Sequence, residues 1–180
     1  MKKIIAPLLA ICWLLVSCNT ATPREYFERA ALNCNALYGL ADYEIKRDLS
    51  MPNEKLVDEK TMKTEPMKRA EVVKDKLARV EEYYQNVKNL GSNPDADAML
   101  KASITLYEFV IPVYKNEYTQ LAKLYDENAP TEKIEALTKE INSKYAAKFE
   151  ELYNNVITTG TSYAEKNGIE VRQVNPSPKL

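Results

Sequence analysis

The sequence contains no histidine, and this absence excludes many kinds of catalytic and metal site. A Ser-His-Asp triad, a histidine-containing zinc or di-iron site and a histidine-ligated haem all need an imidazole as base or ligand. Glycine is also scarce, with 4 residues in a chain of 180. So few glycines do not suit a dinucleotide-binding fingerprint, a phosphate-binding loop or an all-β fold with many tight turns. The sequence therefore predicts a protein that lacks the common catalytic constellations, and it does not indicate a specific activity.

Long apolar runs are rare in the sequence, and the clearest one lies at its amino terminus. Lys2 and Lys3 precede an apolar run from Ile4 to Val16 that contains Pro7. This layout is typical of the charged and hydrophobic regions of a secretory signal peptide. Thirteen residues rise only about 20 Å as a helix, less than the ~30 Å hydrocarbon core of a membrane. We therefore expect a segment for export; a permanent signal anchor is an alternative.

The end of this segment, Leu15-Val16-Ser17-Cys18, resembles the lipobox of bacterial lipoprotein precursors. The resemblance implies that residues 1–17 are a cleaved signal peptide and that Cys18 carries lipid, including palmitate. It thus implies attachment to a membrane of the cell envelope. The alternative is an ordinary signal peptide with an incidental cysteine. Asn19 follows Cys18 where some bacteria use Asp to retain a lipoprotein at the inner membrane, and this favours the outer membrane.

The charge and the cysteine content indicate whether the mature chain would bind nucleic acid or form an internal disulfide. Removal of residues 1–17 leaves 23 basic against 26 acidic residues, a formal net charge of −3. A mildly acidic protein is a poor nucleic-acid binder, so no nucleic-acid partner is expected. Cys12 would leave with the signal and Cys18 would carry lipid, so Cys34 would have no partner for a disulfide.

Beyond the signal, apolar residues recur at intervals of three and four, which predicts amphipathic helices. The predicted helices cover residues 23–49, 64–90, 94–128 and 131–167. Short connections between the last three favour an all-α fold, an antiparallel up-down-up-down four-helix bundle. The expected organisation is a lipidated cysteine and tether (18–22), a helical bundle (23–168), and a short extended segment with a carboxyl-terminal tail (169–180).

Local signals give four more specific expectations. Thr22 and Pro23 suit the cap and first turn of the first helix. The charged stretch 54–63 is predicted to be the longest loop. Gly91 is expected to end the second helix in a left-handed conformation. Pro112 is expected to kink the third helix without breaking it, because the apolar stripe continues beyond it.

Tyrosine is the most unusual component, with 12 residues, several of them on the inner face of the third predicted helix. One interpretation places hydroxyl and carboxyl groups around a cavity near Pro112. The candidate ligand-binding residues are then Tyr107, Glu108, Tyr114, Glu117 and Tyr118. The other interpretation is that the rings fill the core and the hydroxyls reach its rim. Cys34 lies on the apolar stripe of the first helix, where cysteine usually acts as a small hydrophobic residue.

No catalytic residue, metal site or cofactor is predicted. Asn93 is interpreted as the cap of the third helix, with Asp95 and Asp97 placed against the positive end of its dipole. The chain resembles the small helical-bundle lipoproteins of Gram-negative cell envelopes, many of which have no assigned function. We therefore expect a non-enzymatic protein that is anchored to the membrane through Cys18. Its bundle would contact another envelope protein through residues 50–63 or an exposed helix face. The alternative is a small-ligand binding module that uses the tyrosine-rich interior.

Overall fold

The computed structural model describes residues 21–51 and 54–171, and most of this part of the chain is helical. The α-helices are α1 (Pro23–Ala30), α2 (Tyr43–Ser50), α3 (Arg69–Lys88), α4 (Asp97–Val113), α5 (Thr119–Asp126) and α6 (Thr131–Lys166). A 3-10 helix, Leu32–Leu37, follows α1, and a π-helical turn, Tyr114–Tyr118, joins α4 to α5. Strands β1 (Glu54–Asp58) and β2 (Lys63–Pro66) form an antiparallel hairpin. The prediction of a mainly helical protein is confirmed, whereas the signal segment, Cys18 and residues 172–180 lie outside the described residues.

Helix α1 begins where the sequence predicts. The Thr22 hydroxyl accepts a hydrogen bond from the Glu25 N–H at 3.2 Å, and the Glu25 carboxylate accepts one from the Thr22 N–H at 2.7 Å. This reciprocal pair is a capping box, and Pro23 occupies the first helical position. Both features satisfy or remove backbone N–H groups that have no partner inside a helix.

The prediction of one continuous helix over residues 23–49 is wrong. The chain leaves α1 at Ala31, continues as the 3-10 helix and then turns before α2. Gly39 and Ala41 adopt left-handed conformations with φ of 80° and 59°. Asn33, Asn35 and Gly39, which lie in this stretch, have low helix propensity. Because 3-10 and turn residues can still face the core, the buried stripe persists through Cys34, Leu37, Ala41 and Ile45, although Tyr38 is exposed.

The predicted loop 54–63 and the predicted start of the second helix at Thr64 are also wrong, because these residues build the hairpin. Proline restricts the residue before it to extended conformations, so Pro66 disfavours a helical Glu65. The Asp58 carboxylate accepts hydrogen bonds from the N–H groups of Lys60 and Thr61 at 2.8 and 3.3 Å, which stabilises the turn. Helix α3 instead begins at Arg69.

Gly91 does not adopt the predicted left-handed conformation, since the described glycines with positive φ are Gly39 and Gly168. Its carbonyl accepts a hydrogen bond from the Tyr26 hydroxyl at 2.8 Å, which ties the start of α1 to the end of α3. Gly168, with φ of 63°, ends α6 as predicted. The N–H of Ile169 there bonds the carbonyl of Ala164 at 2.9 Å, in the Schellman pattern.

The helix that contains Pro112 continues through the proline, as predicted. Proline has no N–H to donate to the carbonyl one turn earlier, so the regular hydrogen bonding is interrupted. The irregularity takes the form of the π-helical turn Tyr114–Tyr118, which accommodates a wider turn without ending the helix. The Thr119 hydroxyl donates to the Tyr114 carbonyl at 2.9 Å and helps to satisfy this turn.

Polar contacts tie the ends of the helices together at both ends of the molecule. At one end, near the start of α1, the Lys166 ammonium lies 2.5 Å from the Asp95 carboxylate. At the other end, the Asp126 carboxylate accepts the N–H groups of Arg69 and Ala70 at 2.7 and 3.0 Å. The Arg69 guanidinium donates to the Leu49 carbonyl at 2.7 Å, so the end of α2 lies there too. The hairpin, which joins α2 to α3, therefore lies at the end opposite the start of α1.

Helix α6 packs closely against the end of α1 at Gly160. A Cβ atom added at Gly160 would lie 2.8 Å from the Cβ of Ala31 and 3.6 Å from the ring of Phe27. Real Cβ atoms do not approach another carbon this closely, so any side chain here must displace α1. The small residue at position 160 thus fixes the distance between the two helices.

We predict that Gly160→Val lowers the free energy of unfolding by about 2 kcal/mol, because overpacking forces backbone shifts. Thr158→Val is the matched control: it introduces the same side chain at an exposed position of the same helix, and we expect a change within about 0.5 kcal/mol. Urea unfolding followed by circular dichroism measures both. Equal stability of the two variants would contradict the close approach of α6 to Ala31.

Candidate functional site

The tyrosines predicted to surround a ligand are packed in the core. Tyr107 and Tyr118 are fully buried and Tyr114 nearly so. The rings of Tyr114 and Tyr118 meet edge to face with centroids 5.1 Å apart, which is a favourable aromatic arrangement. The structure therefore brings these two candidate residues together as packing partners.

The two predicted carboxylates are held separately, on partners from different helices. Glu108 accepts a hydrogen bond from the Tyr84 hydroxyl of α3 at 2.9 Å. Glu117 accepts one from the Tyr145 hydroxyl of α6 and lies 3.3 Å from the Lys144 ammonium. Burial alone would raise the pKa of Glu117, but these hydrogen bonds and the Lys144 charge outweigh it, so its pKa is lowered. Glu117 is therefore an ionised contact between the π-helical turn and α6.

Cys34 occupies a small polar cluster inside the core. Its thiol donates to the Ala30 carbonyl at 3.4 Å and lies 3.5 Å from the Ser103 hydroxyl. Burial raises the pKa of the thiol, and the hydrogen bond with Ser103 opposes the shift only in part. A buried thiol with a raised pKa is a poor nucleophile, which agrees with the interpretation of Cys34 as a hydrophobic residue.

The π-helical turn positions the Tyr118 hydroxyl against the turn that precedes α2. This hydroxyl accepts a hydrogen bond from the Ala41 N–H at 2.7 Å. With its amide oriented to donate, Asn142 of α6 bonds the Ala41 carbonyl at 2.6 Å and the Thr138 carbonyl at 3.3 Å. Both backbone groups of Ala41 are thus held by side chains from other helices. These bonds offset the cost of a left-handed alanine, which is of order 1 kcal/mol.

A half-open groove of about 420 Å³ lies between this turn and α6, and we call it the Tyr38 groove. Aromatic rings form part of its wall, with carboxylate and amide side chains beside them. The lining residues are Tyr38, Gly39, Leu40, Ala41, Asp42, Asn142, Ala146, Phe149, Glu150, Tyr153 and Asn154. None of the five residues that the sequence predicts as ligand-binding is among them. A helix-breaking glycine at 39, next to Tyr38, is a sequence signal that could have pointed here.

A second and shallower groove runs between α3 and the end of α4. Its charged lining is partly neutralised, because the Lys115 ammonium lies 2.7 Å from the Glu81 carboxylate. Its apolar lining is limited to Ala78, Ile111 and the ring of Tyr84, so it lacks the row of aromatic rings that lines the Tyr38 groove. The Tyr38 groove is therefore the better candidate site.

The described part of the chain contains neither a metal-ligating cluster nor a membrane-spanning helix. Residues 21–51 and 54–171 contain no group of three or more metal-ligating side chains close enough to hold an ion. Among the helices of these residues, none combines the length and the apolar character needed to cross a membrane. Comparison of the chain with protein families, with curated proteins and with solved structures gives no match.

We predict that Tyr118→Phe lowers the free energy of unfolding by about 1–3 kcal/mol, because the buried Ala41 N–H loses its acceptor. Tyr107→Phe is the matched control. Tyr107 is as deeply buried and lies on the same continuous helix, but its hydroxyl makes no regular hydrogen bond within the described residues. We expect its removal to leave stability unchanged or higher. Thermal unfolding of the two variants in parallel tests this, and similar losses in both would argue against a special role for the Ala41 contact.

Proposed function

We propose that this chain is a lipid-anchored lipoprotein of the bacterial cell envelope whose helical domain is a non-enzymatic protein-binding module. The observation that carries the proposal is the Leu15-Val16-Ser17-Cys18 motif after a charged start and an apolar run of thirteen residues. Lasting attachment needs two or more acyl chains, since one chain binds only marginally, and the lipoprotein pattern supplies them. Asn19 favours the outer membrane as the site of attachment.

The position of α1 supports a short connection between lipid and folded domain. The capping box at Thr22 begins α1 at Pro23, five residues after Cys18. Even fully extended, five residues span less than about 20 Å. The start of α1 would therefore lie close to the lipid surface, with the ends of α3 and α6 beside it.

For the finer architecture, we propose an up-down-up-down bundle of four columns. The columns are α1 with α2, then α3, then α4 with α5, then α6. The contacts between helix ends favour antiparallel neighbours: Tyr26 at the start of the first column meets Gly91 after the second. Asp126 at the end of the third meets Arg69 at the start of the second, and Lys166 at the end of the fourth meets Asp95 before the third.

The hairpin is the proposed contact for a partner protein in the envelope. It lies at the end of the domain opposite the start of α1, and α6 alone is about 54 Å long at 1.5 Å per residue. Large apolar side chains are exposed on it, with Leu56 at 47%, Val57 at 43% and Met62 at 71%. An anchor at one end and exposed apolar residues at the other suit a module that holds a partner away from the membrane.

We predict that Cys18→Ser abolishes incorporation of radiolabelled palmitate and shifts the protein out of the lipid-anchored membrane fraction. The serine side chain has no sulfur, so it cannot form the thioether that links the lipid in a lipoprotein. Cys34→Ala is the control, because Cys34 is buried in the folded domain and should not be acylated. The amount of radiolabel per protein molecule is measured after the cells have grown with the labelled fatty acid. Equal labelling of the Cys18→Ser and unmodified proteins would overturn the lipoprotein proposal.

We further predict that a photo-crosslinking amino acid at Met62 captures one reproducible protein partner in living cells. The same group at Asn155, which is exposed on α6 away from the hairpin, serves as the control. Crosslinked products are compared by mass after ultraviolet irradiation. No reproducible product from position 62, or the same product from both positions, would contradict a partner site on the hairpin.

A further inference from the structure

The Tyr38 groove combines aromatic rings with carboxylates in a pre-shaped turn, and this combination indicates a particular ligand chemistry. We propose that the groove is a binding site for a small soluble alkylammonium cation. The site is separate from the hairpin and from the tyrosines in the core.

Three aromatic rings form a row along the groove. The centroids of Tyr38 and Tyr153 are 6.0 Å apart with a tilt of 56°, and Phe149 stacks on Tyr153 at 5.5 Å with a tilt of 29°. The Tyr153 hydroxyl donates to the Asn35 side chain at 2.9 Å, which fixes the central ring. Tyr38 is exposed and contributes a ring at the open side. Aromatic faces attract alkylammonium groups through their quadrupoles while they also contact the alkyl carbons.

The charged residues that line the groove are acidic. Asp42 enters from the turn and Glu150 from α6, and the described lining residues include no lysine or arginine. Within the described residues Glu150 makes no ion pair or hydrogen bond, whereas its neighbour Glu151 pairs with Lys148 at 2.6 Å. Acidic groups next to aromatic rings favour a cation over an anion or a neutral sugar. The charge of the groove therefore selects the sign of the ligand, and the rings select its apolar part.

The backbone of the groove is fixed before any ligand arrives. Gly39 and Ala41, both left-handed, shape the turn between Tyr38 and Asp42. The Tyr118 hydroxyl and the Asn142 amide hold the N–H and the carbonyl of Ala41. Strained residues held by surrounding contacts, and π-helical turns, both occur often at functional sites. A fixed wall reduces the entropy lost on binding. This matters for a small ligand, because its few contacts can offset only a small loss of entropy.

The position of the groove distinguishes a free cation from a lipid headgroup. Helix α1 and the 3-10 helix lie between it and Pro23 along the chain, and their eight and six residues rise up to about 24 Å together. If the proposed anchor holds Pro23 near the lipid, the headgroups of that membrane lie well below the groove. A soluble ligand such as a methylated or primary alkylamine is therefore the occupant that we propose.

The test is a titration of the ¹⁵N-labelled full chain in nonionic detergent with choline chloride, followed by amide chemical shifts. We expect saturable shifts confined to residues 38–42 and 142–154. The neutral compound of the same shape, 3,3-dimethylbutan-1-ol, should bind at least about fivefold more weakly, because it lacks the charge that the rings and carboxylates attract. Phosphatidylcholine vesicles in place of choline should produce no such shifts.

Two variants at neighbouring positions test whether choline binds in the Tyr38 groove. Glu150→Gln removes one charge from the groove at an exposed position and should weaken choline binding by about threefold or more. Glu151→Gln removes a charge from the adjacent residue outside the groove and should leave the affinity unchanged. Equal affinity for choline and its neutral counterpart, equal effects of the two variants, or an absence of saturable shifts would overturn the proposal. Shifts with vesicles but not with free choline would assign the groove to a headgroup and overturn it as well.

Discussion

The hydrogen bond between the Ala41 N–H and the Tyr118 hydroxyl connects the irregular features of this fold. Tyr118 closes the π-helical turn that follows Pro112, and Ala41 is a left-handed residue in the turn that separates the 3-10 helix from α2. A left-handed alanine persists where surrounding contacts hold it, and here the Asn142 amide holds its carbonyl as well. This hydrogen bond thus joins the turn that interrupts the first predicted helix to the π-helical turn that follows Pro112. The Tyr38 groove lies over the place where these two turns meet.

The long helices could be predicted from the sequence because their periodicity extends over many turns. Helix α6 and the continuous helix through α4 and α5 follow the predicted ranges closely, and a proline inside the latter did not end it. The break in the first predicted helix was missed for a physical reason. Cys34, Leu37 and Ile45 remain buried although they lie in different local structures. The spacing of the apolar residues therefore does not reveal where the helix ends and the 3-10 helix and turn begin. The hairpin was missed because its strands are exposed on both faces and show no alternation of burial.

The tyrosines show a similar limit. Their number and their positions on the third predicted helix were evident from the sequence, but the partner of each hydroxyl is a tertiary property. Burial raises the pKa of both Tyr107 and Tyr118, so both hydroxyls stay protonated. Tyr118 finds a backbone N–H from a segment 77 residues away, whereas the Tyr107 hydroxyl lies beside the Cys34 thiol. The Tyr38 groove likewise joins residues about a hundred positions apart, which no local pattern can reveal.

The hairpin differs from the rest of the described domain in how it is stabilised. Its strands bury no side chain, and isolated two-stranded hairpins are only marginally stable in water. One ion pair, between Lys55 and Glu71 at 2.9 Å, ties it to α3, and such exposed pairs contribute little because water and salt screen them. Segments with few buried contacts open most readily, while α3 to α6 share a continuous core. A partner that covers Leu56, Val57 and Met62 would therefore supply the apolar packing that the hairpin lacks, and ordering of the hairpin would be coupled to that contact.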